Sequence, residues 1–414
     1  MNKWKYTTLG KISEIITGPF GSQLHQSDYV EQGIPVVMPQ DIDDRKVNYV
    51  AINYVANKDA IRLERYKTIT NDILYARRGD VEKHAFIGRK DSGALCGTGC
   101  LRVRITTPEV EPEFVSFFLN KKETRKWLVT HAVGTNMPNL NTDILSEVPI
   151  AYPLIGEQRK MVRVLNSLDR KIAINSAIND NLEQQAKLIY DYWFTQFDFP
   201  DKNGKPYCSS GGKMVWNEQL KRNIPENWNV IPLLKLVSWE SNSQPPKSEF
   251  VYEPKEGYVR FIQNRDYDSD THITYIPRTK NLSIVDRFDI LMDKYGDAGA
   301  VRYGIEGAFN VALGKICVHN PNYREYIRSF LGSDGIYKFL HNSCMASTRA
   351  SLSEANLAIL NIVVPNEKII LDYENFLHKI RVSILKNKDE TVELINLRDW
   401  LLPMLMNGQA TIAD

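Results

Sequence analysis

"MVRVLNSLDRKIAINSAINDNLEQQAKLIYDYW" (161–193) is the stretch from which the fold can be read. Met161, Leu165, Leu168, Ile172, Asn175, Asn179, Leu182, Ala186, Ile189 and Trp193 recur at alternating steps of four and three residues. That spacing is a heptad seam, and it predicts one long helix whose single apolar stripe needs a partner. The same chain supplies one. "YENFLHKIRVSILKNKDETVELINLRDWLLPML" (373–405) repeats the seam 212 residues on, at Tyr373, Leu377, Ile380, Ile384, Asn387, Thr391, Leu394, Arg398, Leu401 and Leu405. Asn175 and Asn387 occupy the same seam position. Two readings stay open there: a buried polar layer that fixes register, or a stretch where the helices splay and the amides are solvated.

The repetition reaches outward from the helices. Trp4 and Trp228 each head a similar segment, 224 residues apart. "NDILYARRGD" (71–80) returns as "FDILMDKYGD" (288–297), with Asp72 and Asp289 217 apart, and Leu140 and Pro153 return as Leu352 and Pro365 at 212. The expected class is α+β: two mixed domains separated by two long helices that form an antiparallel coiled coil, with a pseudo-two-fold internal repeat. The expected spans are 1–155 for the first domain, 156–196 for the first helix, 197–226 for a connector, 227–366 for the second domain and 367–408 for the second helix. In the first domain, "GIPVVMP" (33–39), "DILYAR" (72–77), "CLRVRIT" (100–106) and "VPIAYP" (148–153) read as strands, and 113–130 reads as one helix.

Bulk properties exclude several classes. The 414 residues exceed one ordinary core, and the composition, 43% hydrophobic and 25% charged, is that of a globular protein. No run is long and apolar enough for a membrane span, and no secretory segment opens the chain, so a cytoplasmic location is expected. Five scattered cysteines fit free thiols. The net charge of +2 is far from the strong basicity that marks nucleic-acid binders by composition. Neither a phosphate loop nor a dinucleotide fingerprint occurs, the seven histidines do not pair at ligand spacing, and "GALCGTGC" (93–100) reads as a tight turn between strands. A binding or scaffold protein is therefore expected, with no catalytic residues and no metal site.

"PLIGEQRKMVRVLNSLDRKIAINSAINDNLEQQAKLIYDYWFTQFDFP" (153–200) resembles the central helical region of the specificity subunits of type I restriction-modification systems. "GKPYCSSGGKMVWNEQLKRNIPENW" (204–228) and "LRDWLLPMLMNGQATI" (397–412) resemble the segments after it and at the distal end. "GPFGSQL" (18–24) and "GTNMPNLNTDILSEVPIAYP" (134–153) resemble the edges of the recognition domains. The resemblance implies two target-recognition domains, each reading one half of a bipartite double-stranded DNA target, and paired helices that set the spacer. It also implies two methyltransferase subunits carrying S-adenosylmethionine and restriction subunits using ATP and magnesium, with no cofactor on this chain. Two other readings remain: a coiled-coil scaffold whose globular ends bind protein, and a fusion holding an unrecognised hydrolase site.

Base reading favours Arg or Lys on guanine and Asn or Gln on adenine, with phosphate contacts alongside. The candidate DNA-binding residues in the first domain are Ser22, Gln23, Gln40, Asp41, Arg77, Arg78, Lys83, Thr135 and Asn136. In the second they are Gln263, Asn264, Arg265, Lys294, Arg302, Ser347, Thr348 and Arg349. Gln40 and Asp41 follow a strand, as Gln263 to Asp266 do; a reading surface and simple turn capping both fit. The basic run Lys121, Lys122, Arg125 and Lys126 is either a solvated face or a phosphate contact. The aromatic tail Tyr190, Tyr192, Trp193, Phe194 and Phe197 is expected to pack partly on the connector and partly to receive the methyltransferase.

Overall fold

The duplication recurs strand by strand in the computed structural model, which describes residues 4–20, 23–134, 138–270, 272–345 and 351–412. Contacts divide the chain into two units, residues 1–173 with 391–414 and residues 174–390. Both mix helix and sheet.

The first unit opens with β1 (Lys5–Thr8) and β2 (Ser13–Thr17). There follow β3 (Ile34–Val37), β4 (Ile73–Ala76), β5 (His84–Phe86), β6 (Leu95–Cys96) and β7 (Cys100–Ile105). One four-stranded sheet has the order β2-β7-β4-β5, and a second is built on β6, β3 and Asn53–Val55. β4 is buried along its whole length because both of its faces are covered. Two helices follow, α1 (Pro112–Leu119) and α2 (Lys122–His131), and then β8 (Pro149–Tyr152), which pairs back onto β1. The single helix expected over 113–130 is broken: Lys121 is extended (φ −61, ψ 143), and its ammonium turns inward onto the Phe118 ring and the Asn407 side chain. Phe114, Phe117 and Phe118 of α1 fill the core, each contributing about 2–3 kcal/mol by burial. The long helix α3 (Ile155–Tyr190) starts here, and buried Gln158 pins it to the domain. The Gln158 amide accepts from Glu111 N at 2.9 Å and donates to the Glu109 and Pro153 carbonyls.

The second unit contains β9 (Asn229–Pro232), β10 (Val237–Ser241), β11 (Tyr258–Ile262), β12 (Ile290–Asp293), β13 (Gly307–Phe309) and β14 (Leu313–Val318). After them come α4 (Arg324–Leu331), α5 (Asp334–Met345), β15 (Asn361–Val364) and the 40-residue α6 (Glu367–Met406). The registers match those of the first unit pair for pair. Lys5 opposes Tyr152 as Asn229 opposes Val364, although the two strands lie at offsets of 224 and 212. Ile73 opposes Val103 as Ile290 opposes Ile316, at offsets of 217 and 213. In the second sheet, Val37 pairs in parallel with Cys96 and Ile262 with Phe309, at 225 and 213. A one-residue slip would turn every side chain to the other face, so identical registers at five different offsets place the length changes in loops.

The long helices meet within each unit. In the second, Glu183 binds Arg381, Asn179 binds Asn387 and Asn175 binds Glu390, so one number rises as the other falls and the segments run antiparallel there. In the first, Leu165 shares a core with Leu402 and Leu405, and Asp169 binds Arg398. Leu165, Asn175, Leu377, Ile380 and Ile384 are buried, while Leu168, Ile172, Leu182, Ile189, Asn387, Leu394 and Leu401 are half-buried. Asn175 is 2% exposed and donates to Glu390 at 2.8 Å, and Asn387 donates to Asn179 at 2.9 Å. A splayed, solvated stretch would expose Asn175, so the buried polar layer is what forms. α3 ends in a π-helical turn (Asp191–Thr195). In that turn Phe194 packs on Tyr326 and Tyr373 while Tyr192 stays exposed, and beyond it Phe197 and Phe199 pack on Trp228.

Candidate nucleic-acid interface

In the first unit the loops after β2, β3, β4 and β6 converge. Gly18 N donates to Cys100 O at 2.9 Å, Gly97 N to Val37 O at 2.9 Å, and Arg77 N to Gly99 O at 2.8 Å. A Cβ on Gly18 would stand 2.0 Å from the Gly97 carbonyl oxygen, so the crossing of these two loops requires glycine. Leu140 N then donates to Arg77 O at 2.9 Å, which adds the loop before residue 141 to the same cluster.

The second unit builds the junction again with different side chains. Asn310 N donates to Ile262 O at 3.0 Å, Lys294 N to Ala312 O at 2.8 Å, and Leu352 N to Lys294 O at 3.0 Å. Arg77 and Lys294 thus hold equivalent places, each at the end of the central strand of its sheet and tied to the same two neighbouring loops.

The candidate residues divide into distinct groups. The Arg77 guanidinium lies 4.9 Å from the Phe20 ring and donates from Nε to Asn139 and to the Leu140 carbonyl. Arg78 is exposed, and Lys83 pairs with Asp80 at 3.2 Å across the Gly79 turn. Gly79 (φ +78) and its counterpart Gly296 (φ +70) are left-handed, which makes the repeated Gly-Asp a turn in both copies. Gln23 is exposed and accepts from the Tyr66 hydroxyl at 2.8 Å. Gln40 is exposed, but Asp41 is 3% exposed and accepts from Met38 N at 2.8 Å. Gln263 is half-buried and donates to Thr274 at 3.1 Å, Asn264 is half-buried, and Arg265 is exposed. Arg302, which opposes Leu291 as Ala85 opposes Leu74, lies 5.6 Å from the Tyr267 ring and is held by Asp293 at 2.8 Å and Asp297 at 3.5 Å. Ser22, Thr135, Asn136, Ser347, Thr348 and Arg349 lie outside the described residues. Of the basic run, Lys121 is buried and Arg125 pairs with Asp44 at 3.1 Å, leaving Lys122 and Lys126 exposed to solvent.

The Gly97–Gly99 loop is the tight turn between strands expected of 93–100, but it, Phe20 and Asn139 were not among the candidate contact residues, because a group that completes a cluster from a distant loop carries no local pattern. Also unsignalled were two buried ion-pair clusters against the long helices. In the first unit the Arg45 guanidinium sits 3.4 Å from the Phe117 ring centre and binds Asp169 at 2.9 Å, Ser116 at 3.0 Å and Glu113 at 3.5 Å. In the second, Arg381 binds Glu325 at 3.0 Å, Glu183 at 2.5 Å and the Tyr303 hydroxyl at 3.0 Å. Burial alone would raise the Glu183 carboxyl; Arg381 and Tyr303 outweigh it and hold the group below the usual carboxylate range. Among the described residues no cluster of three or more His, Cys, Asp or Glu could hold a metal, and no helix is long and apolar enough to cross a membrane.

The comparisons with known proteins agree with one another. Residues 1–184 match the family model described as the type I restriction modification DNA specificity domain. The chain is 22% identical to the HindI type I restriction enzyme specificity subunit of Haemophilus influenzae, covering 99% of this chain and 100% of that one. It is 24% identical to the MjaIX specificity subunit of Methanocaldococcus jannaschii, over 74% of this chain and 70% of the relative. Among solved structures, the type I restriction-modification S subunit from M. genitalium superposes with a TM-score of 0.62 at 15% identity, covering 98% and 96% of the two chains. At that identity the likeness is one of fold.

Proposed function

We propose that this chain is a non-catalytic specificity subunit of a type I restriction-modification system and reads a bipartite double-stranded DNA target with its two strand-end junctions. One junction, at Phe20, Gln40, Arg77 and Gly97–Gly99, takes one half of the target. The other, at Arg265, Lys294 and Asn310–Ala312, takes the other half. The observation that carries this reading is the matched register: two junctions have the same backbone bonds and different exposed side chains. A constant frame with variable polar tips is what a reader of two unlike half-sites requires. Arg77 and Lys294 suit phosphate oxygens, where charge counts more than hydrogen-bond pattern.

The finer architecture is part of the same proposal. The two recognition domains are held apart by α3 and α6 as an antiparallel coiled coil about a pseudo-two-fold axis, and its length sets the nonspecific spacer. The helical pair recruits two methyltransferase subunits, which bring S-adenosylmethionine, and restriction subunits, which use ATP and magnesium. Adenine-methylation sequencing of a host expressing this chain with its methyltransferase partner tests the reading. A new motif of two short halves separated by a fixed gap is expected; a contiguous motif, or none, would overturn it.

A further inference from the structure

Resting on the DNA-reading proposal above, we infer that Gln40 and Arg265 are the equivalent specificity-determining residues of the two domains, Gln40 for an adenine and Arg265 for a guanine. Asp41 and Asp266 are the positioning residues beneath them. The equivalence comes from backbone register and not from likeness of sequence. Val36 and Val37 occupy the places of Phe261 and Ile262 in the parallel pairs with Leu95–Cys96 and Ala308–Phe309. Carrying that offset of 225 through the strand ends aligns Met38 with Gln263, Pro39 with Asn264, Gln40 with Arg265 and Asp41 with Asp266.

The turn geometry supports the alignment independently. Both segments leave the strand as a 3-10 turn, Pro39–Asp41 and Asn264–Tyr267. In each, the aspartate carboxylate accepts from the backbone N–H three residues earlier, Asp41 from Met38 at 2.8 Å and Asp266 from Gln263 at 3.1 Å. The aspartate N–H returns the bond to the same residue's carbonyl at 2.9 Å in both copies. Both carboxylates are buried, at 3% and 6% exposure. The residue just before each aspartate is the one that faces solvent. A rigid, doubly hydrogen-bonded turn thus presents one long polar side chain from each domain, and both turns abut the junction loops. The carbon that a Cβ on Gly97 would add meets Met38, and one on Gly99 meets Pro39. Among the described residues the Arg265 guanidinium makes only long contacts, 3.4 Å to the His272 carbonyl and 3.9 Å to Asp266, so extending it toward a ligand breaks little.

Chemistry then separates the two. A glutamine amide donates and accepts, which matches adenine N7 and N6, whereas a guanidinium only donates, which matches guanine O6 and N7. Arg77 and Lys294, one loop away in each domain, supply the neighbouring positive charge that seats the backbone.

The test uses the full chain in complex with its methyltransferase partner. The probes are duplexes carrying the methylated motif and every single base-pair change across it. Wild type should discriminate by roughly tenfold to a hundredfold at one A·T pair of one half and at one G·C pair of the other. Gln40→Ala should erase only the A·T preference, and Arg265→Ala only the G·C preference, with every other penalty and the gap unchanged. Arg265→Gln should turn the lost guanine preference toward adenine. Variants that keep both preferences, or that weaken all duplexes alike, would overturn the assignment. Wild type showing no two-part discrimination would instead sink the DNA-reading proposal. Asp266→Asn, which keeps an acceptor for Gln263 N, should preserve the G·C preference where Asp266→Ala blunts it, as a positioning role demands.

Discussion

The two ion-pair clusters against the long helices occupy the same framework position, but the helix residue in them has the opposite sign. Glu113 and Glu325 are equivalent, 212 residues apart, and so are Asp169 and Arg381. In the first unit the helix supplies a carboxylate, Asp169, and a short hairpin over 42–47, where Ile42 pairs with Val47, supplies the arginine, Arg45. In the second the helix supplies the arginine, Arg381, and the domain supplies the carboxylate, Glu325. Backbone register survived the divergence of the copies while the sign of this contact did not. What is kept is complementarity across the contact, since an unpaired charge there would be costly in either copy.

The clusters also differ in depth, and that difference orders the expected effects. Glu325 is 1% exposed at its side chain and Arg381 6%, whereas Asp169 is 24% exposed. Arg381→Met should lower unfolding free energy by about 3–5 kcal/mol, because Glu325, which keeps Arg328 at 3.1 Å, has no access to water to replace the lost guanidinium. Arg45→Met should lose less, about 1–3 kcal/mol, because Asp169 keeps Arg398 and reaches water. Chemical denaturation of the two variants measures the ranking, and equal losses would contradict the difference in depth.

A second contrast appears with pH. Burial, with help from Arg45 and Arg125, pushes His84 down to about 3, so the folded first unit holds a neutral imidazole. The unfolded chain takes up that proton near 6.5, and stability falls as pH drops from about 6.5 toward 3. Burial pushes Glu374 up to about 7, against the pull of the Glu325 N–H and with the Glu325 charge adding to the rise. Its ordinary value is 4.5, so the folded second unit binds the extra proton between 4.5 and about 7, and stability is lost as pH rises through that window. His84→Gln should flatten the acid-side loss, and Glu374→Gln, which keeps an acceptor for Glu325 N, should flatten the other. Denaturation at a series of pH values reads both slopes. The smallest effect is expected at the polar layer. Asn175→Leu should change stability by about 1 kcal/mol while permitting other helix registers, visible as heterogeneity in size-exclusion profiles.

Much of this was legible in the chain itself. The heptad seam marks α3 and α6 because 3.5-residue periodicity is local, and the motifs "NDILYARRGD" and "FDILMDKYGD" mark equivalent strands and turns. The capping role of Asp41 and Asp266 was open in the sequence and is settled by their burial and their bonds to Met38 and Gln263. The break at Lys121 carries no sequence signal because apolar spacing runs on through it, and one of the two groups that hold the turned ammonium, Asn407, is far away in sequence. Arg45, Asp169, Glu325 and Arg381 gave no signal, since a charge reveals its partner only when the fold brings the two together.

Exchange of residues 1–155 for the corresponding domain of a type I specificity subunit, followed by adenine-methylation sequencing with a methyltransferase partner, tests whether the two copies read independently. One half of the motif should change while the other half and the gap stay fixed. A change in both halves, or in the gap alone, would contradict two readers built on one frame.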